Sequence, residues 1–184
     1  MIDIVDEALE HASARERLLD ASFGPDRRLK TSERLRTGRL PVFAFAALDE
    51  TGMLVGTVRL WSVADPNGRQ TLLLGPLAVA QGCRGQKVGD RLMRHALNQA
   101  VIHGHGSVIL VGDAPYYARF GFEPDKLGKV ELPGPVDYGR FLGIELSPGH
   151  LAPLKGELSA NGCLDSVHVS HPTGGTMPVF RRAQ

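Results

Sequence analysis

The sequence has little cysteine, and this limits the kinds of protein that it can be. Only two of its 184 residues, Cys83 and Cys163, are cysteine, and neither has the C-x-x-C or Cys/His spacing of a metal site. The spacing therefore argues against both a disulfide framework and a zinc finger. Because free thiols are typical of cytoplasmic proteins, we predict a cytoplasmic protein with no metal cofactor.

The sequence also has no excess of one charge and no long apolar run. Lysine and arginine total 21 against 20 aspartates and glutamates, so the net charge of +1 gives no electrostatic basis for binding nucleic acid. No apolar stretch approaches the length of a membrane span. Residues 1–7 are acidic and lack the basic and apolar regions of a signal peptide. We therefore expect neither nucleic acid nor a membrane as a partner.

The apolar content is sufficient for a folded domain. Hydrophobic residues make up 42% of the chain and charged residues 22%, both within the range of globular proteins. The length suits one domain with a sizeable core, and no repeat or linker marks a second one. We predict one domain over residues 1–146, and a C-terminal extension over 147–184, of uncertain structure, that packs on the same domain.

The first third of the sequence has the pattern of a strand, two helices and a β-hairpin. Residues 2–5 are a short strand candidate, and an S-x-x-E capping box at Ser13 opens a helix predicted over 13–23. A second, more polar helix is predicted over 26–37. Two strand-like segments, 42–48 and 54–61, flank a turn and form the hairpin.

The middle of the sequence predicts a βαβ unit. Residues 72–80 are apolar on both faces, as in a buried central strand, and apolar residues recur at helical spacing over 88–103. Residues 108–111 form the next buried strand, so the two strands should be parallel. Pro76 has no N–H to donate and Gly75 favours a bulge, so we do not expect a regular ladder there. A further strand is predicted over 141–146.

The turn that precedes the long helix has the features of an anion site. The first turn of a helix has unpaired N–H groups and a partial positive charge, and phosphates are common occupants. Arg84 and Lys87 add charge from side chains. The spacing of Gly82, Gly85 and Gly89 fits neither the dinucleotide fingerprint nor a Walker A loop. At this point an ordinary basic turn without a ligand remains the alternative.

Two motifs resemble the signatures of the GNAT N-acetyltransferase superfamily. Residues 84–89, Arg-Gly-Gln-Lys-Val-Gly, resemble the coenzyme A motif [QR]-x-x-G-x-[GA], with Lys87 in place of the middle glycine. Residues 117–122 have the form Y-x-x-x-G-F, with which a short helix closes in that family. The resemblance implies an α/β (α+β) single-domain fold. Its sheet is mixed, mostly antiparallel and twisted, with a splayed central parallel pair, and is flanked by helices.

The resemblance also implies roles for individual residues. In the family, the pantetheine arm of the cofactor fits between the splayed strands and the pyrophosphate binds at the start of the helix. The implied acetyl-CoA-binding residues are Leu77, Ala78, Val79, Arg84, Gly85, Gln86, Lys87, Val88 and Gly89. The implied catalytic residue is Tyr117, as general acid to the leaving thiolate. The neighbouring Tyr116 is the alternative candidate for this role. The alternative without a catalytic role is that Tyr117 is a core aromatic residue with a hydrogen-bonded hydroxyl.

The acceptor side is left open by the sequence. Direct transfer needs a base, but Asp49, Glu50 and Asp65 lie in turns, where solvation explains them better. His168 and His171 are three residues apart, and no further ligand supports a metal site there. The aromatic residues that either line an acceptor pocket or simply pack are Trp61, Tyr138 and Phe141.

The implied function is an acetyl-CoA-dependent N-acetyltransferase, which moves an acetyl or other short acyl group to an amine of a small molecule or peptide. The resemblance also makes a homodimer plausible. Because the base is unassigned and Lys87 departs from the motif, the alternative is a non-catalytic acyl-CoA-binding module of the same fold. A nucleotide-binding protein is disfavoured by the missing phosphate-loop spacings.

Overall fold

Residues 1–165 are the part of the chain that this computed structural model describes, and most of their strands belong to one sheet. The nine strands in this range are β1 (Asp3–Asp6), β2 (Phe43–Leu48), β3 (Leu54–Ala64), β4 (Gln70–Val79), β5 (Ser107–Val111), β6 (Lys129–Glu131), β7 (Phe141–Glu145), β8 (Lys155–Glu157) and β9 (Ser159–Ala160). The large sheet has the order β1-β2-β3-β4-β5-β7, with β9 paired to the end of β3. A separate parallel pair consists of β6 and β8.

Three α-helices and several single turns of 3₁₀-helix connect these strands. The α-helices are α1 (Ala12–Phe23), α2 (Val88–Ile102) and α3 (Ala114–Ala118). The 3₁₀ turns are Leu9–His11, Pro25–Leu29, Thr31–Leu35, Gln81–Cys83, Pro124–Lys126 and Tyr138–Arg140. Within residues 1–165, none of the helices combines the length and the apolar character that crossing a membrane requires.

The predicted mixed sheet with a central parallel pair is confirmed. In the large sheet, β4 and β5 run parallel, while the remaining neighbours pair antiparallel. The connection from β4 through α2 to β5 is the predicted βαβ crossover. Helices lie on the faces of the sheet, as the α/β fold class requires.

The two faces of the sheet bury different sets of side chains, because successive residues of a strand point to opposite faces. Leu72 and Leu74 pack in the core cluster that includes the apolar face of α2, whereas Leu73 packs in the cluster on the other face. Val108 and Ile109 of β5 divide in the same way. Strands that are apolar on both faces therefore lie at the centre, as predicted.

Two side chains of α2 differ in burial from what its amphipathic pattern predicts. Val101 is 53% exposed instead of lying on the buried face, because the helix ends one residue later at Ile102. His95, a polar residue in the middle of the helix, is half-buried, and the centroid of its ring lies 4.5 Å from that of Phe45. Most of the other apolar residues of this face are buried as expected, namely Val88, Leu92, Met93, Ala96 and Ala100, and Leu97 is partly buried.

The region before the hairpin departs most from prediction. The capping box predicted at Ser13 is wrong. A 3₁₀ turn leads into α1, so Ser13 lies inside the helix. Glu16 instead accepts a 2.5 Å hydrogen bond from Arg27. The helix predicted over 26–37 is also wrong. Two 3₁₀ turns are found there, separated by Lys30 in an extended conformation, and the apolar residue they bury is Leu35. An amphipathic face too narrow to bury cannot support a longer helix.

The chain beyond β7 returns to the same sheet. Ser159 and Ala160 pair with Ala64 and Val63 at the end of β3. Three leucines of this part pack in the cluster opposite α2, namely Leu151, Leu154 and Leu158. His168 and His171, considered above as a metal pair, lie outside the described residues.

Candidate active site

A cleft opens where the two central parallel strands separate. The ladder between β4 and β5 in the described chain consists of two pairs, Leu72 with Val108 and Leu73 with Ile109. Beyond Leu73, β4 continues for six residues to Val79 while still paired with β3 on its other edge. The edge of β4 that faces β5 is therefore open over this length, and its N–H and C=O groups can receive an extended ligand.

A bulge in β4 lies at the point of separation, as the sequence predicted. The register with β3 shifts so that Gly75 and Pro76 together oppose Arg59. The Gly75–Pro76 peptide bond is cis, and Gly75 has a φ of 128°, which favours glycine. The buried indole Nε1 of Trp61 donates a 2.7 Å hydrogen bond to the carbonyl of Gly75. The indole therefore fixes the direction of the chain at the bulge.

The cleft has a volume of about 390 Å³ and three walls. One wall is the open part of β4, the second is the end of β5 with α3, and the third is the segment over residues 22–36. Its lining consists of Ser22, Phe23, Arg27, Lys30, Ser32, Glu33, Arg36, Leu74, Gly75, Pro76, Leu77, Ala78, Val79, Arg84, Val111, Gly112, Asp113, Tyr116, Tyr117 and Arg140. The cleft thus brings together four of the predicted cofactor residues (Leu77, Ala78, Val79 and Arg84) and the predicted catalytic Tyr117.

The N-terminus of α2 lies at the far end of β4 from the bulge. Lys87 is the N-cap residue, and its side chain makes no capping hydrogen bond, so the first N–H groups of the helix are not occupied by it. Lys87 has a φ of 59°, and it is the non-glycine residue with positive φ in the described part of the chain. The family motif has glycine here because this left-handed conformation suits glycine.

The other predicted cofactor residues lie around this helix start and not on the cleft wall. Gly85, Gln86 and Lys87 are exposed, and the Gln86 amide donates a 3.2 Å bond to the carbonyl of Gly82. The side chain of Val88 is buried in the core, so only its backbone is available to a ligand. Gly89 is half-buried on the first turn of the helix.

Tyr117 is held on α3 with its ring directed into the cleft. Its N–H donates to the carbonyl of Asp113 (3.1 Å), and its ring meets the ring of Phe122 edge-on at 6.0 Å. Gly121 follows the C-cap residue of this short helix, Arg119, and has a φ of 90°, a conformation that favours the glycine of the Y-x-x-x-G-F motif. Burial raises the pKa of Tyr117 to about 12, helped by Tyr116 and opposed by cationic neighbours. The phenol is therefore protonated at neutral pH and can donate a proton.

Tyr116 points to a different part of the cleft. A Cβ added to Gly89 would lie 2.7 Å from the hydroxyl of Tyr116, which places this hydroxyl against the first turn of α2. The guanidinium of Arg119 lies 4.6 Å from the Tyr116 ring and also bonds to Asp90 at 2.9 Å. The hydroxyl of Tyr116 is therefore directed to the helix end of the cleft, although its ring contacts the ring of Tyr117 edge-on at 4.9 Å.

Arg36 and Glu33 are cleft residues that the sequence analysis missed. The Arg36 side chain is only 10% exposed, and its Nη1 lies 3.6 Å from the Glu33 carboxylate. Burial lowers the pKa of Arg36 to about 10, opposed by Glu33, so the side chain is charged at neutral pH. A cluster of basic residues over 27–36 is visible in the sequence. We attributed these residues to a predicted polar helix and not to a binding site.

Of the carboxylates considered from the sequence as bases, none lies in the cleft lining. Asp49 and Asp65 bind backbone N–H groups of their own turns, the latter at 2.8 Å from Asn67 N and 3.0 Å from Arg69 N. Solvation was the wrong explanation for Asp65, because its carboxylate is buried by the turn that it stabilises. Glu33 and Asp113 are the carboxylates of the described chain that line the cleft.

The three aromatic residues considered for an acceptor pocket have other positions. Trp61 and Phe141 are buried in the core cluster opposite α2, and Tyr138 is 66% exposed. No group of histidine, cysteine and acidic side chains within residues 1–165 is arranged to hold a metal ion.

Comparison with known proteins gives a family match over the central part of the chain. Residues 42–124 match the model of the acetyltransferase (GNAT) domain. This range contains both sequence motifs, the open part of β4, and α2 and α3. The segment over 22–36, which forms the third wall of the cleft, lies outside it.

The relatives found are named as N-acetyltransferases. The chain is 33% identical to the uncharacterised N-acetyltransferase YhbS of Escherichia coli K12 over 108 residues, which are 58% of this chain and 64% of that protein. The alignment thus spans less than two thirds of that relative. A crystal structure of E. coli YhbS in complex with CoA has a TM-score of 0.75 at 25% identity, covering 89% of this chain and 96% of that one. A Brucella melitensis GNAT acetyltransferase with acetyl-CoA has the same fold, with a TM-score of 0.67 at 20% identity over 88% and 96% of the two chains.

Proposed function

We propose that this chain, which belongs to the GNAT acetyltransferase superfamily by its fold and its match over residues 42–124, transfers an acetyl group from acetyl-CoA directly to an amine. The observation that carries the proposal is the cleft itself. One opening contains the unpaired edge of β4, a charged residue of the coenzyme A motif (Arg84) and the protonated phenol of Tyr117. These are the groups needed to hold an acyl thioester and to release its thiolate.

The cleft has suitable partners for each part of acetyl-CoA. The free N–H groups at the start of α2, with Arg84 and Lys87 beside them, suit the pyrophosphate. The open edge of β4 at Leu77, Ala78 and Val79 suits the amides of the pantetheine arm, which would pair with it like an added strand. Bound in this way, acetyl-CoA supplies the acyl thioester at the end of the cleft nearest the bulge.

Tyr117 is the group that we assign to the leaving thiolate. A phenol with a pKa near 12 stays protonated at neutral pH and can donate its proton as the tetrahedral intermediate collapses. Tyr116 is the less suitable of the two tyrosines, because its hydroxyl lies against Gly89 at the helix end of the cleft. A backbone N–H near Leu77 is placed to polarise the thioester carbonyl.

Glu33 is the group that we assign to the acceptor. The amine must lose a proton to attack, and a carboxylate can accept it directly or through water. Of the two carboxylates in the cleft lining, Asp113 is occupied as the cap of α3, where it accepts the N–H of Tyr116 at 3.2 Å. Glu33 has only the nearby Arg36 as a charged partner in the described chain, so its oxygens can receive a proton.

A non-catalytic acyl-CoA-binding module remains the second candidate, and the backbone of Lys87 favours it. Where the coenzyme A motif has glycine, this chain has a lysine in a backbone conformation that suits glycine. An enzyme of the family does not need this departure from the motif. This candidate predicts binding of acetyl-CoA without any amine-dependent release of CoA.

The deciding experiment measures release of the CoA thiol from acetyl-CoA in the presence of a broad panel of amines. The proposal predicts release that depends on one class of amine and that falls about 100-fold in Tyr117→Phe, with acetyl-CoA affinity unchanged. Tyr138→Phe is the matched control, since Tyr138 is exposed and outside the cleft lining. Binding of acetyl-CoA with no acylated product from any amine would favour the non-catalytic module.

Three broader predictions accompany this function. We propose that residues 147–165 belong to the same domain as 1–146, since β9 pairs with β3. A cytoplasmic location and a homodimer remain predictions from the cysteine content and the family resemblance. Fractionation of cells and size-exclusion chromatography with light scattering would test them.

A further inference from the structure

Arg36 is a buried cation whose donors are largely unused within the described chain. Its side chain is 10% exposed, and its Nε is buried with no hydrogen-bond partner among residues 1–165. The 3.6 Å from Nη1 to the Glu33 carboxylate is an ion-pair distance and too long for a hydrogen bond. Burying charged donors without acceptors is unfavourable, so a group that accepts from this guanidinium would stabilise it.

The position of Arg36 is fixed by the turn that precedes it. Its N–H donates to the carbonyl of Glu33 at 3.0 Å, and the adjacent Leu35 is buried in the core cluster opposite α2. The same turn is tied to another part of the chain, because Thr31 Oγ1 donates to the carbonyl of Pro135 (2.6 Å) and Arg34 to that of Pro133 (2.7 Å). Arg36 is thus pre-organised and not a mobile surface side chain.

Arg36 lies at the end of the cleft that the phosphates of CoA do not reach. A Cβ added to Gly75 would lie 2.8 Å from its Nη2, so the guanidinium contacts the bulge where β4 leaves β5. The distance along the strand from Gly75 to Val79 is about 13 Å, and the start of α2 is farther still. The proposed pyrophosphate site therefore leaves the charge of Arg36 unexplained.

We infer that Arg36 binds a carboxylate of the acyl acceptor, so that the acceptor is a small amine that also bears a carboxylate, as an amino acid does. This inference rests on the proposed acetyl transfer. A guanidinium matches a carboxylate with two parallel hydrogen bonds, and it holds the partner in one orientation. A cleft of about 390 Å³ is within the size range of small-molecule sites.

Glu33 and the other cations of the cleft agree with an acceptor that carries both charges. Glu33 and Arg36 present a carboxylate and a guanidinium side by side, which complements an ammonium and a carboxylate on one small molecule. Lys30 and Arg140 add positive charge to the same cleft. The charge of Arg27, in contrast, is already matched by Asp20 at 2.7 Å and by Glu16.

The test compares amino acids with their carboxamides as acceptors, which differ only in the carboxylate. With acetyl-CoA as donor, kcat/KM of the wild-type protein is expected to favour the amino acid by about 100-fold, the effect of two charge-assisted hydrogen bonds. In Arg36→Gln this preference falls to about one, through a higher KM for the amino acid and an unchanged KM for acetyl-CoA. Arg36→Lys restores only part of it, because an ammonium lacks the planar fork.

Arg28→Gln is the matched control. Arg28 is an exposed arginine of the same segment, outside the cleft lining, and its partner is Glu16. The control should keep the full preference for the carboxylate. Equal use of amino acid and carboxamide by the wild-type protein would overturn the inference. It would also be overturned if Arg36→Gln lowered kcat equally for both, because the residue would then act on the reaction or the fold.

A carboxylate on the acyl group of the donor would satisfy the same guanidinium, so succinyl-CoA is a further arm. A preference for succinyl-CoA with neutral amines, lost in Arg36→Gln, would overturn the assignment to the acceptor.

A second measurement does not depend on turnover or on the fold of a variant. Calorimetric titration of the wild-type protein with CoA present is expected to show tighter binding of N-acetylated amino acids than of their carboxamides, and equal binding would count against the inference.

These results are separable from a failure of the proposed function. If acetyl-CoA does not bind the wild-type protein, the proposed function fails and the inference fails with it. If acetyl-CoA binds and neutral amines are acetylated best, the function stands and only the role of Arg36 is wrong.

Discussion

The ring of Tyr117 lies directly against Gly112, the residue that follows β5. A Cβ added to Gly112 would lie 2.8 Å from Cδ2 of that ring, closer than real side chains approach. The absence of a side chain at Gly112 therefore sets where the phenol lies in the cleft. In this way the end of a core strand determines the position of the proposed general acid.

Substitution of Gly112 by alanine should displace Tyr117 without affecting the edge of β4 that we propose to bind the cofactor. We expect kcat to fall at least about tenfold, since a small misplacement of a catalytic group has large effects, while the affinity for acetyl-CoA stays the same. Gly106→Ala is the matched control at the other end of β5, where the added Cβ would meet Nε2 of His150 at 2.5 Å. Both variants should lose stability, and a comparable loss of kcat in Gly106→Ala would contradict the positional role.

The raised pKa of Tyr117 predicts a specific pH dependence. Because burial raises the pKa of Tyr117 to about 12, the phenol remains a proton donor at pH values where an ordinary tyrosine, with a pKa of about 10, is half ionised. The ratio of wild-type kcat to that of Tyr117→Phe should thus stay constant from pH 7 to about 10. A ratio that falls to half by pH 10 would show that the phenol is not buried as described.

Replacement of Glu33 by glutamine tests the proposed base. At neutral pH, kcat/KM for the acceptor should fall by about 100-fold, because the ammonium form of the amine has no carboxylate to accept its proton. The loss should shrink as the pH approaches the pKa of the amine itself. Glu123→Gln is the control, since Glu123 is exposed and pairs with Lys126 away from the cleft. A uniform loss at every pH would indicate a role in binding and not in proton transfer.

The backbone of Lys87 gives a prediction about stability. Lys87→Gly should exceed Lys87→Ala in free energy of unfolding by about 1 kcal/mol, because only glycine adopts a φ near 59° without steric cost and alanine is also a poor N-cap. Both variants lose the same charge, so their difference isolates the backbone. Urea denaturation measures it, and equal stabilities would mean that this conformation is not strained.

The sequence was sufficient for those features that depend on local patterns. Apolar runs on both strand faces predicted the central pair, and Gly75 with Pro76 predicted the bulge. The family motifs predicted that Arg84 and Tyr117 would act at one site, and both line one cleft. The central strands and the bulge follow from the residues within them, whereas the shared position of Arg84 and Tyr117 was implied by the family resemblance.

The third wall of the cleft could not be predicted, because its structure depends on distant residues. Residues 26–37 have the composition of a polar helix, but they form short turns that are held by the carbonyls of Pro133 and Pro135. Nothing in the local sequence indicates these contacts. The inward position of Arg36 follows from them, so the cleft residues that we propose for the acceptor could be identified only in the folded structure.

Calorimetric titration with acetyl-CoA tests directly whether the cleft binds this cofactor. We expect saturable binding to the wild-type protein, and binding that is about 10- to 100-fold weaker when Arg84 and Lys87 are both changed to alanine. The double change of Lys126 and Lys129 to alanine removes the same charge outside the cleft lining, and it should leave the affinity unchanged. Absence of binding to the wild-type protein at millimolar acetyl-CoA would show that the cleft is not an acetyl-CoA site.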